Sequence, residues 1–300
     1  MVRVRRPTFL LIAISVLLGL GLSLQTTIAN KTPAVASQNR SPGAPSATAH
    51  LANISTRLAV GTGDNVLICG LTIVGSQPKR VIVRALGPLL PVTENLADPI
   101  LELHDSSGAA LAANDNWRDT QQDELKATTI PPTNDYDSAV VRTFSPNAAY
   151  TAILAGKGGT TGVGLVELYD LDLAADSSLV NVSTRGFVDR GDSVLIGGTI
   201  VVGSGSTTVL FRALGPSVAG VSNTLTDPIL ELHDGQGNTL AVNDNWQDTQ
   251  AADIQATTIP PPDPREPAIL RSLTPGAYTA VVRGKNDTVG VAVVEAYQIN

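Results

Sequence analysis

The chain is poor in the residues that carry most catalytic chemistry. Only one Cys, one Met, two Trp and three His stand among 300 residues. A single Cys forms no intramolecular disulfide, and it supports neither a Cys-based zinc site nor an iron–sulfur cluster. Three His leave little room for a His-rich catalytic metal centre. Positive charge is also scarce: 20 Lys plus Arg face 27 Asp plus Glu, for a net charge of -7. Such a chain lacks the basic face that neutralises phosphates, which argues against nucleic acid as a partner. A Gly-x-Ser-x-Gly elbow, a His-Glu-x-x-His pair, a phosphate loop and a dinucleotide fingerprint are all missing. What is plentiful is hydrophobic sequence, at 43%, together with 27 Gly and 19 Pro. The first argues against global disorder, and the second disfavours a helical protein.

The N-terminus reads as an export signal. Arg3, Arg5 and Arg6 precede an apolar run from Phe9 to Leu24, and small residues follow. Those are the n-region, h-region and cleavage zone of a secretory signal peptide, spanning 1–29, or 1–36 if cleavage follows Ala36. The run is shorter than the roughly 20 residues that cross a bilayer, so cleavage is expected rather than anchoring. No membrane span is then left, and the exported chain is more acidic still. Export without disulfides points to a bacterial source and a secreted, extracellular or cell-surface location. Residues 30–50 are rich in Ala, Ser, Thr and Pro without apolar periodicity, as in a disordered linker.

An internal repeat dominates the remainder. Leu51-Ala-Asn-Ile-Ser-Thr-Arg57 recurs as Leu179-Val-Asn-Val-Ser-Thr-Arg185, and Arg84-Ala-Leu-Gly-Pro88 recurs as Arg212 to Pro216. Asp98 to Asp105 returns as Asp227 to Asp234, Asn114-Asp-Asn-Trp117 as Asn243 to Trp246, and Ala127 to Pro132 as Ala256 to Pro261. Two copies follow, 51–172 and 179–300, joined by a linker at 173–178. Each has a normal size for one core. Alternating or two-sided apolar runs at 66–74, 80–84, 100–104, 138–144, 150–154 and 163–169, bounded by turn residues, predict antiparallel strands. The expected fold is all-β: two tandem antiparallel β-sandwich domains, jelly-roll-like. Only Asp119 to Ala127 reads as a helical turn, with Asp119 as its N-cap.

The later half of each copy carries a further pattern. An alternating strand, an Asp-x-x-Gly turn, a strand ending in Asn-Asp, a Pro-Gly-x-Tyr strand and a Gly-containing strand appear in order. Here they are Leu230 to Asp234, Gly237, Asn243-Asp244, Pro275 to Tyr278, then Gly284 and Gly290. This set resembles the secreted bacterial pre-peptidase C-terminal (PPC-like) β-sandwich domain. The first copy departs from it, with Asn147-Ala148-Ala149 at the turn before its Tyr150. The resemblance implies a non-catalytic accessory or surface module.

Four constellations are candidates for function. The first is the acidic-amide cluster of Asp105, Asn114, Asp115, Asn116 and Asp119, repeated as Asp234, Asn243, Asp244, Asn245 and Asp248. Such oxygens can ligate calcium, or they can make Asx turns that tie down a loop. The spacing is not an EF-hand, because Arg118 and Leu125 occupy ligand positions. The second is the pair Trp117 and Trp246, either sugar-stacking platforms or core anchors. The third is the set of strand charges Arg84, Glu102, Arg212 and Glu231, with Glu167 and Glu295, expected as structural cross-strand ion pairs. The last is the His pair, His104 and His233, expected at strand edges. Cys69, replaced by Gly197 in the second copy, is expected as a buried inert thiol. The function these features suggest is a secreted, non-enzymatic binding or adhesion module whose partner is a polysaccharide or other cell-surface component, with calcium as its one candidate cofactor. A purely structural envelope or matrix protein, and a hydrolase using paired carboxylates, are the alternatives.

Overall fold

The computed structural model of the chain describes residues 49–191 and 193–299. The signal segment and residues 30–48 of the linker lie outside them. The described residues form sixteen strands, two short α-helices and four single 3-10 turns. In the first copy these are β1 (His50–Val60), β2 (Leu67–Gly75), β3 (Lys79–Leu86), β4 (Pro99–Asp105), β5 (Ala110–Asn114), α1 (Gln122–Ala127), β6 (Ser138–Phe144), β7 (Ala148–Gly156) and β8 (Gly162–Asp170). The second copy repeats the order as β9 (Ser177–Val188), β10 (Leu195–Val202), β11 (Thr207–Leu214), β12 (Pro228–Asp234), β13 (Thr239–Asn243), α2 (Ala251–Ala256), β14 (Ala268–Leu273), β15 (Gly276–Gly284) and β16 (Gly290–Ile299).

Hydrogen bonding arranges them in two long antiparallel layers, linked at the centre by one pairing of β1 with β9, Ala59 opposite Phe187. One runs β13-β12-β15-β10-β1-β8-β3-β6, the other β5-β4-β7-β2-β9-β16-β11-β14. Within a copy the chain crosses from sheet to sheet at nearly every step, as in a jelly roll, and only the β4–β5 and β12–β13 hairpins stay in one layer. Each sheet therefore holds four strands of each copy. They are joined at the centre by β1 on β10 in one sheet and β9 on β2 in the other. The two junctions match residue for residue, with Thr56 opposite Gly197 and Thr184 opposite Cys69. Between them the equivalent hydroxyls of Thr56 and Thr184 meet at 2.5 Å, which marks a pseudo-two-fold axis.

Burial follows the pleat. In β2, Leu67, Cys69, Leu71 and Ile73 are fully buried while Ile68 and Thr72 face outward, so that strand alternates instead of being covered on both sides. One buried cluster runs through both copies, from Leu103 and Leu154 through Ile54 and Leu179 to Leu230 and Val282. Leu58 fills the space that Gly186 leaves in β9, where a Cβ would stand within 2.6 Å of both its methyl carbons. The repeated Gly-Pro turn has a similar cause. A Cβ on Gly87 would lie 2.0 Å from the Leu96 carbonyl, and one on Gly215 would lie 2.1 Å from that of Leu225.

The chain ends of the folded part come together. The Leu51 N–H donates to Gln298 Oε1 at 3.3 Å. The first copy fills the equivalent place with a buried ion pair, Lys79 Nζ to Asp170 Oδ2 at 2.8 Å, where the second copy has Thr207 and Gln298.

Candidate functional site

Loop 115–137 folds back over the outer face of β3 and β6, and its polar residues serve that folding. Asn114 is buried. Its Oδ1 accepts from Ala139 N–H at 2.9 Å, and its Nδ2 donates to Asn116 O at 3.0 Å. Asn243 repeats both bonds with Ala268 and Asn245. Asn116 Nδ2 donates to Asp119 Oδ2 at 3.0 Å, and Asn245 to Asp248 at 2.9 Å. Asp119 does not cap the helix. Helix α1 starts three residues later, with Gln121 at its N-cap; the Gln121 amide is committed to Val141 and makes no cap bond, and Asp119 accepts from Asn116 instead.

The two Trp are core anchors. Trp117 is 2% exposed and packs with Ile82, Leu125, Ala139 and Val141, while its Nε1 donates to Asn134 O at 3.0 Å. Trp246 is 8% exposed, against Leu210, Ile254 and Ala268. Neither ring offers a free face for a sugar, so the platform role does not hold. Large aromatics release most when their area leaves water, and the loop provides the cover.

The acidic residues occupy separate places. Asp105 closes the β4–β5 turn, accepting from the Ser107 hydroxyl and the N–H groups of Ser107 and Ala109, and these bonds hold its carboxyl below the usual range. Asp234 does the same with Asn238 and Gln236. Asp115 faces elsewhere, onto Lys157 Nζ at 2.5 Å, with Asp98 also near that ammonium at 3.6 Å. Lys285, Asp244 and Asp227 form the same triad at the same distances. Calcium takes six to eight oxygens around one point. Each copy instead divides its oxygens between a turn, a loop and an ion triad whose centre is a lysine. The candidate set does not fit a calcium ion, and no group of three or more metal-ligating side chains converges among the described residues.

The strand charges pair across strands, with one correction. Arg84 bonds Glu167, its register neighbour on β8, and Arg212 bonds Glu295 on β16 through both Nε, at 2.8 Å, and Nη2. Each guanidinium also donates to a loop carbonyl, Ile130 or Ile259, and lies over a tyrosine ring, Tyr169 or Tyr297. Glu102 and Glu231 are not their partners. They face outward and bond His104 and His233 at 2.9 and 3.1 Å. The cause is the sheet assignment: β4 and β3 lie in different layers. Cys69 is fully buried, and burial pushes its thiol up, which keeps it inert.

Three features escaped the sequence reading. Lys157 and Lys285 are the counter-ions of the acidic residues, and their signal was the repeated Gly-Lys at the end of β7 and β15. Gln121 and Gln250 bond the edge strands, as described below. On the outer face of the first copy, a groove of about 320 Å³ opens over Ile68, Ile100, Ile153 and Ala155, with Arg185 and Glu102 at its ends.

No family model matches the chain, and no curated protein matches it. Among solved structures, one of Sulfolobus Turreted Icosahedral Virus is 10% identical over 84% of this chain and 90% of its own, with a TM-score of 0.22. The major capsid protein P2 of bacteriophage PM2 is 10% identical over 82% and 98%, at 0.23. The tandem CBM51 modules of a family 98 glycoside hydrolase from Streptococcus pneumoniae are 10% identical over 84% and 83%, at 0.24. Scores this low carry no functional meaning. The strand pairing itself defines the protein as an all-β antiparallel sandwich.

Proposed function

We propose that the chain is an exported, non-enzymatic β-sandwich protein that binds or adheres at a cell surface or in an extracellular matrix. The observation that carries this reading is the edge-to-edge joining of the two copies. It holds two copies of one fold side by side through continuous main-chain hydrogen bonds, and paired surfaces raise avidity for a repetitive target. The export pattern before residue 30 and the PPC-like pattern in each copy support the same reading. So does the commitment of the candidate acids to turns and lysines, which leaves them without a shared reaction centre. A structural envelope or matrix role is the second reading, and the continuous main-chain hydrogen bonding across both sheets favours it.

Sedimentation with washed bacterial envelopes and with insoluble polysaccharides tests both. Saturable co-sedimentation is expected of a binding module. Sedimentation of the purified chain by itself, into ordered assemblies, would favour the structural role. A chain that stays in the supernatant in every case overturns the binding reading.

A further inference from the structure

The two copies present the same outward row of residues on equivalent strands, yet one copy covers it and the other does not. In the first copy the row across β9, β2, β7 and β4 is Arg185, Ile68, Ile153 and Glu102, with Ala155 beside Ile100 in the next row. In the second, across β1, β10, β15 and β12, it is Arg57, Ile196, Val281 and Glu231, with Arg283 beside Ile229. Arg283 lies along this face. Its Nε donates to Glu231 Oε1 at 3.1 Å and its Nη1 to Gly191 O at 3.4 Å. Beneath it Val194, Ile196 and Val281 are at most 5% exposed. At the same position the first copy has Ala155. The groove stands open, Ile68 and Ile153 are only half-buried, and Glu102 bonds His104 through Oε2 alone.

We propose that this groove is a docking site for an arginine side chain of a protein partner. The second copy displays the fit: an aliphatic stem over the branched floor and a guanidinium on the glutamate. The vacated acceptor is Glu102 Oε1. The guanidinium at the far end, Arg185, has the register place that Arg57 takes in the second copy, where Arg283 still lies on its glutamate. The chain's net charge of -7 attracts a cationic partner. The proposal deepens the binding-module reading by naming the partner's chemistry. A silent groove leaves the co-sedimentation result untouched, so the two fail separately.

Methyl NMR of the purified chain, titrated with a blocked arginine (N-acetyl-arginine methylamide), tests it. The Ile68, Ile100 and Ile153 methyl groups are expected to shift saturably, with Ile196 and Ile229 still. Ala155→Arg should abolish the shifts, Glu102→Gln should weaken binding about tenfold, the loss of one charge-assisted hydrogen bond, and Arg283→Ala should bring Ile196 and Ile229 into the response. If Arg283→Ala fails to fold, Ala155→Arg carries the test alone. Unmoved methyl groups, equal binding of the norleucine analogue, or no loss on Ala155→Arg overturns the site. Tighter binding of free arginine than of the blocked form overturns the assignment to a polypeptide partner.

Discussion

Asp137 shows how one side chain sets a pH response. Buried at 3% exposure beneath the Arg84 turn, its Oδ1 accepts from Gly87 N–H at 3.0 Å, and burial pushes its carboxyl up to about 6. The second copy has Glu266 here, whose oxygens take four donors, including the Ser217 hydroxyl; the first copy has Leu89 at that hydroxyl's position. A carboxyl raised in the folded state stabilises it below the unfolded value, near 4, and that contribution is lost as pH rises through 6. Asp137→Asn keeps the acceptor and removes the charge. It is expected to gain on the order of 2–3 kcal/mol over wild type at pH 8 and nothing at pH 4. Urea midpoints across that range check it; parallel curves for the two proteins would refute it. The loop acids make the opposite kind of prediction. With their oxygens already given to turns and lysines, millimolar calcium and EDTA should leave thermal unfolding unchanged, whereas a ligand at a hundred times its Kd would add about 2.7 kcal/mol.

Edge strands are the elements most exposed to misuse, because their free N–H and C=O groups invite another chain. Here β6 and β14 end one flank of each sheet, and a glutamine side chain stands in for the missing strand. Gln121 accepts from Val141 N–H at 3.0 Å and donates to its carbonyl at 2.9 Å; Gln250 does the same for Leu270. Changing both to Ala uncovers both edges, and the variant is expected to self-associate in light scattering while wild type does not. A variant as monodisperse as wild type would refute the capping role. The strands themselves were legible from alternation: the run 138–144 is β6, and 163–169 lies within β8. The turn role of Asp105 was legible too, from Asx chemistry. Pairing partners were not. Alternation says which residues face a core, but nothing in Leu51 to Arg57 says that the neighbour is Ile196 to Val202, some 140 residues away. Nor could spacing separate Glu102 from Glu167 as the partner of Arg84, since that depends on the layer.

At the scale of the molecule, the two copies behave as a dimer written into one chain. Their junction is isologous, each copy giving its first strand to the edge of the other. The second copy alone would leave the edges of β9 and β10 unpaired. It is expected to form a homodimer with β9 against its twin's β10, seen as a doubled mass by analytical ultracentrifugation; a stable monomer would contradict this. The hydrogen bond from Leu51 to Gln298 has a separate consequence. By the pseudo-symmetry, the connection at 171–176 between β8 and β9 spans the same gap that separates the folded chain's own start and finish. The order of the copies is then a matter of genetic bookkeeping, not of architecture. A circular permutant that begins at Ser177, passes from Ile299 to Ala49 through a six-residue loop, and ends at Asp170 should fold to the same sandwich. Matching far-ultraviolet circular dichroism and a cooperative melt would show it.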